Sequence, residues 1–205
     1  MPRVSLAMEN DGPCLAMYDE KGKLRAGLAS VKDGPMLMLY QEDDKLRVRL
    51  RADKNESTLT LADANGVARA CLAVNKEGPK LGLLDGNDKT RVVLGATKSG
   101  PVLQMLDEDG AHRGVLSANE DGTVLVLFDK NSDNRAVLGA SKDGPELQMF
   151  DENGKLRTGL STDKDGMRLA LCDKNGNPRA WLGAVKDGTG LALYDKNGKP
   201  IWSAP

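Results

Sequence analysis

The chain of 205 residues carries 29 basic and 30 acidic side chains and a formal charge of -1, which removes any broad electrostatic attraction to nucleic acid or to an anionic membrane. Aromatic residues make up only 3%, too few for a stacking platform along bases. Cys14, Cys71 and Cys172 are odd in number and lack CxxC or metal-ligand spacing, so they read as small apolar fillers and not as a disulfide framework.

From the first residues onward the chain repeats. Arg3, Arg25, Arg47 and each further arginine to Arg179 stand 22 residues apart, as do Leu6 to Leu182 and Leu15 to Leu191, with no insertion or deletion. A fixed period in this range marks an array of identical units, each needing its neighbours to bury its apolar side. The expected organisation is one continuous repeat domain over 1–205: a half repeat 1–12, eight full repeats 13–188 and a truncated repeat 189–205. Met1 stands directly in register, and neither a secretory apolar run nor a membrane-span-length stretch occurs. The compartment is therefore open: cytoplasmic unless a leader has been removed, with an extracellular setting as the alternative.

The type unit, Pro13 to Gly34, holds two short alternating runs separated by turn residues. Alternation over so few residues is a strand signature, and the recurrent Gly, Asn and Asp exclude helices. One turn reads Asp-x-Asn-Gly-Lys, as at Asp151 to Lys155 and Asp195 to Lys199; the other reads Lys-Asp-Gly-Pro, as at Lys32 to Pro35 and Lys142 to Pro145. Both offer residues that tolerate a tight reversal.

Two all-β architectures satisfy this pattern. In an elongated β-solenoid each unit is one coil, and Leu15 stacks on Leu37 and Leu37 on Leu59, about 4.8 Å apart, over a thin leucine core. In an antiparallel β-hairpin meander each unit is a hairpin, and a turn at Asn153-Gly154 pairs Leu147 with Leu160. Pro13, Pro35, Pro79, Pro101 and Pro145 follow the turn glycine, where a tight hairpin needs a backbone donor. That argument makes the solenoid the preferred reading and the hairpin array the alternative.

The second full unit, Pro35 to Glu56, breaks the pattern. Gln41 replaces the usual aspartate, and Arg47, Arg49 and Arg51 project from one side of a strand. They form a candidate basic patch for an acidic partner or a neighbouring subunit. Tyr18, Tyr40, Leu84, Leu106, Phe128, Phe150, Cys172 and Tyr194 form a row pointing away from the expected core, a candidate self-association stripe.

Farther along, His112 is the only histidine and lies in a turn with no cysteine in its unit. No nucleophile elbow, phosphate loop or zinc signature appears, so no enzyme and no cofactor is expected. Asp129 to Asn134 begins like a calcium loop, yet Ala140 stands where its last carboxylate belongs, and the lysines of most such turns oppose a dication. Calcium at the Asp-rich turns is the one metal left open. Aspartate ends the first strand in eight of nine units and arginine follows it by six residues, which pairs an acidic ladder with a basic one. At the C-terminal end Trp181, Ile201 and Trp202 are candidates for a cap over an exposed last coil.

The stretches Asp151 to Asp173 and Asp173 to Asp195 best display the unit D-x-N-G-K-x-R-A-x-L-G-x-x-K-D-G-P-x-L-x-L-Y, which resembles tandem repeats of uncharacterised bacterial proteins across essentially the whole chain. That resemblance implies a bacterial origin. In length and strand–turn–strand–turn layout the unit also resembles curli-type amyloid repeats, without their Gln/Asn ladders. The expected function is a non-enzymatic scaffold: a rigid β rod, or a fibre or oligomer subunit partnering itself. The alternative is a binding module that uses a flat repeat face for a glycan or a protein.

Overall fold

Short alternating runs between obligatory turn residues leave room only for strands, and the computed structural model is all-β. It describes residues 3–186 and 188–204; Met1 and Pro2 of the expected half repeat, Asp187 and Pro205 lie outside the described residues. The chain divides into two compact units, 1–98 and 99–205. The first holds β1 (Val4–Glu9), β2 (Gly12–Tyr18), β3 (Leu24–Val31), β4 (Gly34–Tyr40), β5 (Leu46–Ala52), β6 (Glu56–Ala62), β7 (Ala68–Asn75), β8 (Gly78–Leu84) and β9 (Thr90–Thr97). The second holds β10 (Gly100–Leu106), β11 (His112–Asn119), β12 (Gly122–Phe128), β13 (Asn134–Ser141), β14 (Gly144–Phe150), β15 (Leu156–Asp163), β16 (Gly166–Cys172), β17 (Pro178–Val185), β18 (Gly188–Tyr194) and β19 (Pro200–Ala204).

The two-strand repeat expected from the period is what folds, and its pairing is that of the antiparallel hairpin array. Within each unit consecutive strands pair antiparallel, placing Leu15 opposite Leu28 and Leu28 opposite Leu37. Equivalent leucines such as Leu15 and Leu37 are thus two strands apart, about 10 Å, with Leu28 between them. Leu147 does pair with Leu160, and the register shifts between Met149 and Phe150. The turn producing that shift is longer than two residues: the Gly154 N–H donates to the Asp151 carbonyl at 3.0 Å, and Gly154 adopts φ 71°. This is a tight turn closed by a left-handed residue and a bulge.

The prolines after the turn glycines weigh toward the solenoid in the sequence, and the geometry shows why they are compatible with tight hairpins. In the two-residue hairpin the closing pair is Val31 with Gly34, and Pro35 lies opposite Ser30. The proline nitrogen therefore points outward, toward the next hairpin, where strands need no donor if their ladder starts one residue later. The ladders obey this rule. After Pro35 and Pro145 the next pairing starts at Met36 with Arg51 and at Glu146 with Ser161. Where Thr123 or Met167 replaces proline, pairing extends back to the glycine, Gly122 with Ser141 and Gly166 with Val185. The preceding glycine is also constrained: a Cβ on Gly144, at φ +124°, would lie 1.7 Å from the Thr162 carbonyl oxygen.

The expected thin leucine core is absent from both units. Among the described hydrophobic residues only Ala16 and Ala73 are buried, at 9% and 6% exposure. Leu28, Leu138 and Leu182 keep 51%, 52% and 52% of their surface in solvent. A single sheet layer has no second layer to cover it, so its order rests on ladder hydrogen bonds, cross-strand side-chain pairs and turn contacts.

Candidate functional site

The repeated Asp and Arg form a clip at the bulged turns. Asp151 Oδ1 accepts the N–H groups of Asn153 at 2.9 Å and Lys155 at 3.0 Å, while its Oδ2 receives Arg157 Nη1 at 3.4 Å. The arrangement recurs in Asp129, with Asn131, Asp133 and Arg135, and in Asp63, with Asn65, Val67 and Arg69. The arginine then reaches the following hairpin. Arg179 Nε donates to the Tyr194 carbonyl at 3.0 Å and Arg157 Nε to that of Cys172 at 3.2 Å; Arg135 Nη1 donates to the Asp151 carbonyl. One carboxylate thus shapes its own turn and ties it, through arginine, to the next.

These contacts lower the carboxyl pKa values. For Asp151, Asp85 and Asp173 the leading cause is a backbone N–H donated to the carboxylate. For Asp63 and Asp129 partial burial pushes upward, but the arginine bond and two backbone N–H groups outweigh it. The Cys172 thiol is pushed up by burial and by Asp173, the opposite of what a reactive thiolate needs. Among the described residues no three His, Cys, Asp or Glu side chains converge to hold a metal. At the calcium-like loop Asp129 spends its carboxylate on backbone and on Arg135.

The remaining predicted residues fall as follows. Arg47, Arg49 and Arg51 share one side of β5, in separate roles. Arg47 bonds Gln41 and the Ala62 carbonyl as a clip, Arg49 stands between Met38 and Thr60, and Arg51 pairs with Asp53 at 3.3 Å and Asp33 at 3.9 Å. The last borders a hollow that also takes in Lys32 and Lys54, where both charge signs meet. Tyr18, Tyr40, Phe128, Phe150 and Tyr194 are half-buried at strand ends, as are Leu84, Leu106 and Cys172; Phe128 lies 6.2 Å from the His112 ring. Trp181 and Trp202 do not meet: Trp202 aligns with Leu193 on the leucine side, whereas Trp181 aligns with Ala170 and Ala192 on the other. Ile201 is 65% exposed.

Two features escaped the sequence reading. The first is the leucine face. One row runs Leu15, Leu28, Leu37, Leu50, Leu59 and onward to Leu94, and its counterpart runs from Leu103 to Leu191. A second row, Met17–Ala26–Leu39–Val48–Leu61, is equally apolar. The third carries Pro, Ser, Ala, Thr, Val and Met, so the three rows contain no charge. The alternation was legible, but both faces of each strand carry apolar residues, which hid which one is left open.

The second is a hollow of about 250 Å³ on the opposite face of the second unit, lined by Glu146, Gln148, Gly159, Ser161, Arg168 and Trp181 among others. Its residues come from four adjacent strands, β14 to β17, so only the pairing register brings them together.

No family model matches the chain, and no curated protein matches it. Among solved structures, a chain of the TcdB2-TccC3-Cdc42 structure is 10% identical over 92% of this chain and 13% of its own, with a TM-score of 0.25. A TcdB2-TccC3 structure matches 92% of this chain and 14% of its own at 12% identity and a TM-score of 0.22. A porin-like protein from Bacteroides uniformis matches 85% of this chain and 90% of its own at 10% identity and a TM-score of 0.22. This chain therefore spans only a small part of the TcdB2-TccC3 chains it matches. Among the described residues no helix is long and apolar enough to cross a membrane. The repeating β-hairpin architecture fits a structural or binding repeat module.

Proposed function

We propose that the chain is a non-enzymatic structural repeat protein that assembles with further copies of itself through its leucine faces. The observation carrying this reading is the uncharged, solvent-open leucine face on each single-layer unit. In each unit, strands about 4.8 Å apart span about 40 Å, and three side-chain rows about 7 Å apart cover about 20 Å along them. The resulting area, about 800 Å², equals what one partner contributes to a stable interface. It exceeds the apolar patch usual on a monomer.

A second copy is the fitting occupant. The face bears no charge to pair with an acidic or basic partner, and an identical sheet brings the same leucine spacing, packing face to face at about 10 Å about a two-fold axis. The polar repeats support a structural role, since Asp and Arg of the turns are consumed in clips. The aromatic row proposed for self-association is half-buried, whereas Leu28, Leu50, Leu72, Leu94, Leu116, Leu138 and Leu182 are exposed, which makes the leucine face the better candidate for that contact.

Size-exclusion chromatography with light scattering tests the proposal. The parent protein is expected as a dimer or larger, and the double variant Leu72→Lys, Leu138→Lys as a monomer with an unchanged circular dichroism spectrum. Both leucines are exposed, at 44% and 52%, so lysine there leaves the folded chain intact. A parent protein that stays monomeric at about 100 µM, far above the Kd of a stable interface, overturns the reading. The second reading, a binding module, is favoured by the polar hollow on the other face.

A further inference from the structure

We infer that the face opposite the leucines carries a saccharide site between β14 and β17 that takes one neutral pyranose ring. It is independent of self-assembly, because it uses the other side of the sheet.

The site is built by register. Gln148 lies opposite Gly159, Gly159 opposite Ala170, and Ala170 opposite Trp181. Two small residues therefore make a floor two strands wide, about 10 Å, with an amide at one end and an indole at the other. Leu156 leans over its Gly159 side, where its Cδ2 is 3.8 Å from the place of an added Cβ. In the adjoining row Glu146 lies opposite Ser161, Ser161 opposite Arg168, and Arg168 opposite Gly183. The indole lies over this last glycine: a Cβ on Gly183 would stand 2.1 Å from Trp181 Cζ2, and one on Gly190 would stand 3.2 Å from Cζ3. Glycine at 183 is what allows the ring to lie down along the sheet, and at 190 an added Cβ would press against it.

The polar groups are oriented before any ligand arrives. Gln148 Nε2 donates to Glu146 Oε2 at 2.9 Å, which aims the amide and leaves Gln148 Oε1 and Glu146 Oε1 as acceptors. Arg168 is held by Asp163 through Nη1, which leaves further guanidinium N–H donors at the rim. Ser161 supplies a hydroxyl that both donates and accepts. An aromatic plate beside paired planar donors and acceptors matches a ring with an apolar C–H face and adjacent hydroxyls.

Two observations narrow the ligand. The hollow, about 250 Å³, suits a single ring and is below the range of drug-sized pockets. Glu146 and Asp163 outnumber Arg168 around it, so a uronate, phosphate or nucleotide meets net repulsion. The amide and the hydroxyl recur at Gln104 and Ser117, but the other matching positions on β10 to β13 are largely valine, with Val102, Val115, Val124, Val126 and Val137 on the same face. The glutamate, the arginine, the indole and the small floor are therefore particular to β14 to β17. In the first unit Met38 stands opposite Gly27 where Ala170 stands opposite Gly159, which narrows the equivalent floor.

The test uses the full chain with Trp202→Phe, so that Trp181 is the sole indole. Its fluorescence is followed while methyl glycosides of glucose, galactose, mannose and N-acetylglucosamine, and separately glucuronate, are added to about 50 mM. At least one neutral glycoside is expected to saturate with a Kd of about 1–10 mM. Gln148→Leu and Ser161→Val, which keep the reporter, should each weaken it about tenfold with thermal midpoints unchanged, and glucuronate should not saturate. No saturation with any neutral glycoside, equal binding of glucuronate, or unweakened binding by both variants overturns the site. Light scattering on the same samples separates this outcome from the assembly question.

Discussion

Alanine at Gly144 and at Gly154 puts one chemical change into two kinds of turn. At Gly154, φ is +71° and nothing lies within 4 Å of an added Cβ. The cost there is the left-handed penalty alone, about 1–2 kcal/mol, reduced by about 0.4–1 kcal/mol because alanine restricts the unfolded chain. The net loss is between about 0 and 1.6 kcal/mol. At Gly144 the added carbon meets the Thr162 carbonyl oxygen at 1.7 Å and its carbon at 2.8 Å. Both are backbone atoms of the next hairpin, so relief requires β15 to move by more than 1 Å, which opens the adjoining ladder. We expect about 3 kcal/mol or more, in the range of severe backbone strain. Urea unfolding followed by circular dichroism reads the difference; with m about 2 kcal/mol/M, the two midpoints should separate by about 1 M. Both sites lie in the second unit, which keeps the comparison within one cooperative block. Equal midpoints, or a worse effect at Gly154, would refute the claim that hairpin-to-hairpin contact through glycine governs the array.

Acidification should unfold the protein from the clips outward. Asp63, Asp85, Asp129, Asp151 and Asp173 have pKa values lowered in the folded state, so their stabilisation is complete above the ordinary carboxylate range and disappears as pH falls through the lowered values. A thermal midpoint that is flat from pH 7 to 3 would contradict this. Asp129→Ala removes the acceptor for Asn131, Asp133 and Arg135 and should lower the urea midpoint by about 0.5 M, while Lys130→Ala should leave it unchanged. Ser132 occupies the left-handed turn position at φ 65°, so Ser132→Gly should add about 0.5–1 kcal/mol to stability in the same assay. Pro145→Thr should extend the β14–β15 ladder as Thr123 does for β12–β13; slow hydrogen exchange of the new amide at position 145 is the expected sign.

Much of the architecture was legible before any coordinates. The period, the strand pair in each unit, the two turns and, on the alternative hairpin reading, the pairing of Leu147 with Leu160 follow from alternation and turn chemistry, which are local. The Asp–Arg pairing was legible too, because six residues across a turn bring the two side chains together whatever the wider fold. The prolines are misleading in the sequence because their missing donor lies outside the hairpin: the alternation of ladder bonds turns that nitrogen toward the following strand. Such a direction depends on which neighbour pairs with which edge, a non-local fact.

Sequence alone therefore determined a chain of identical two-strand units, since propensity and turn geometry act within a few residues of each other. Only the tertiary structure decided that consecutive strands within each compact unit pair antiparallel in a single layer, that the leucines stand open, and that Gln148, Ser161, Arg168 and Trp181 share one hollow. The hollow depends on cross-strand pairs such as Ser161 with Arg168, Gln148 with Gly159 and Glu146 with Ser161, where side-chain identity constrains the choice only after register has placed one strand beside another.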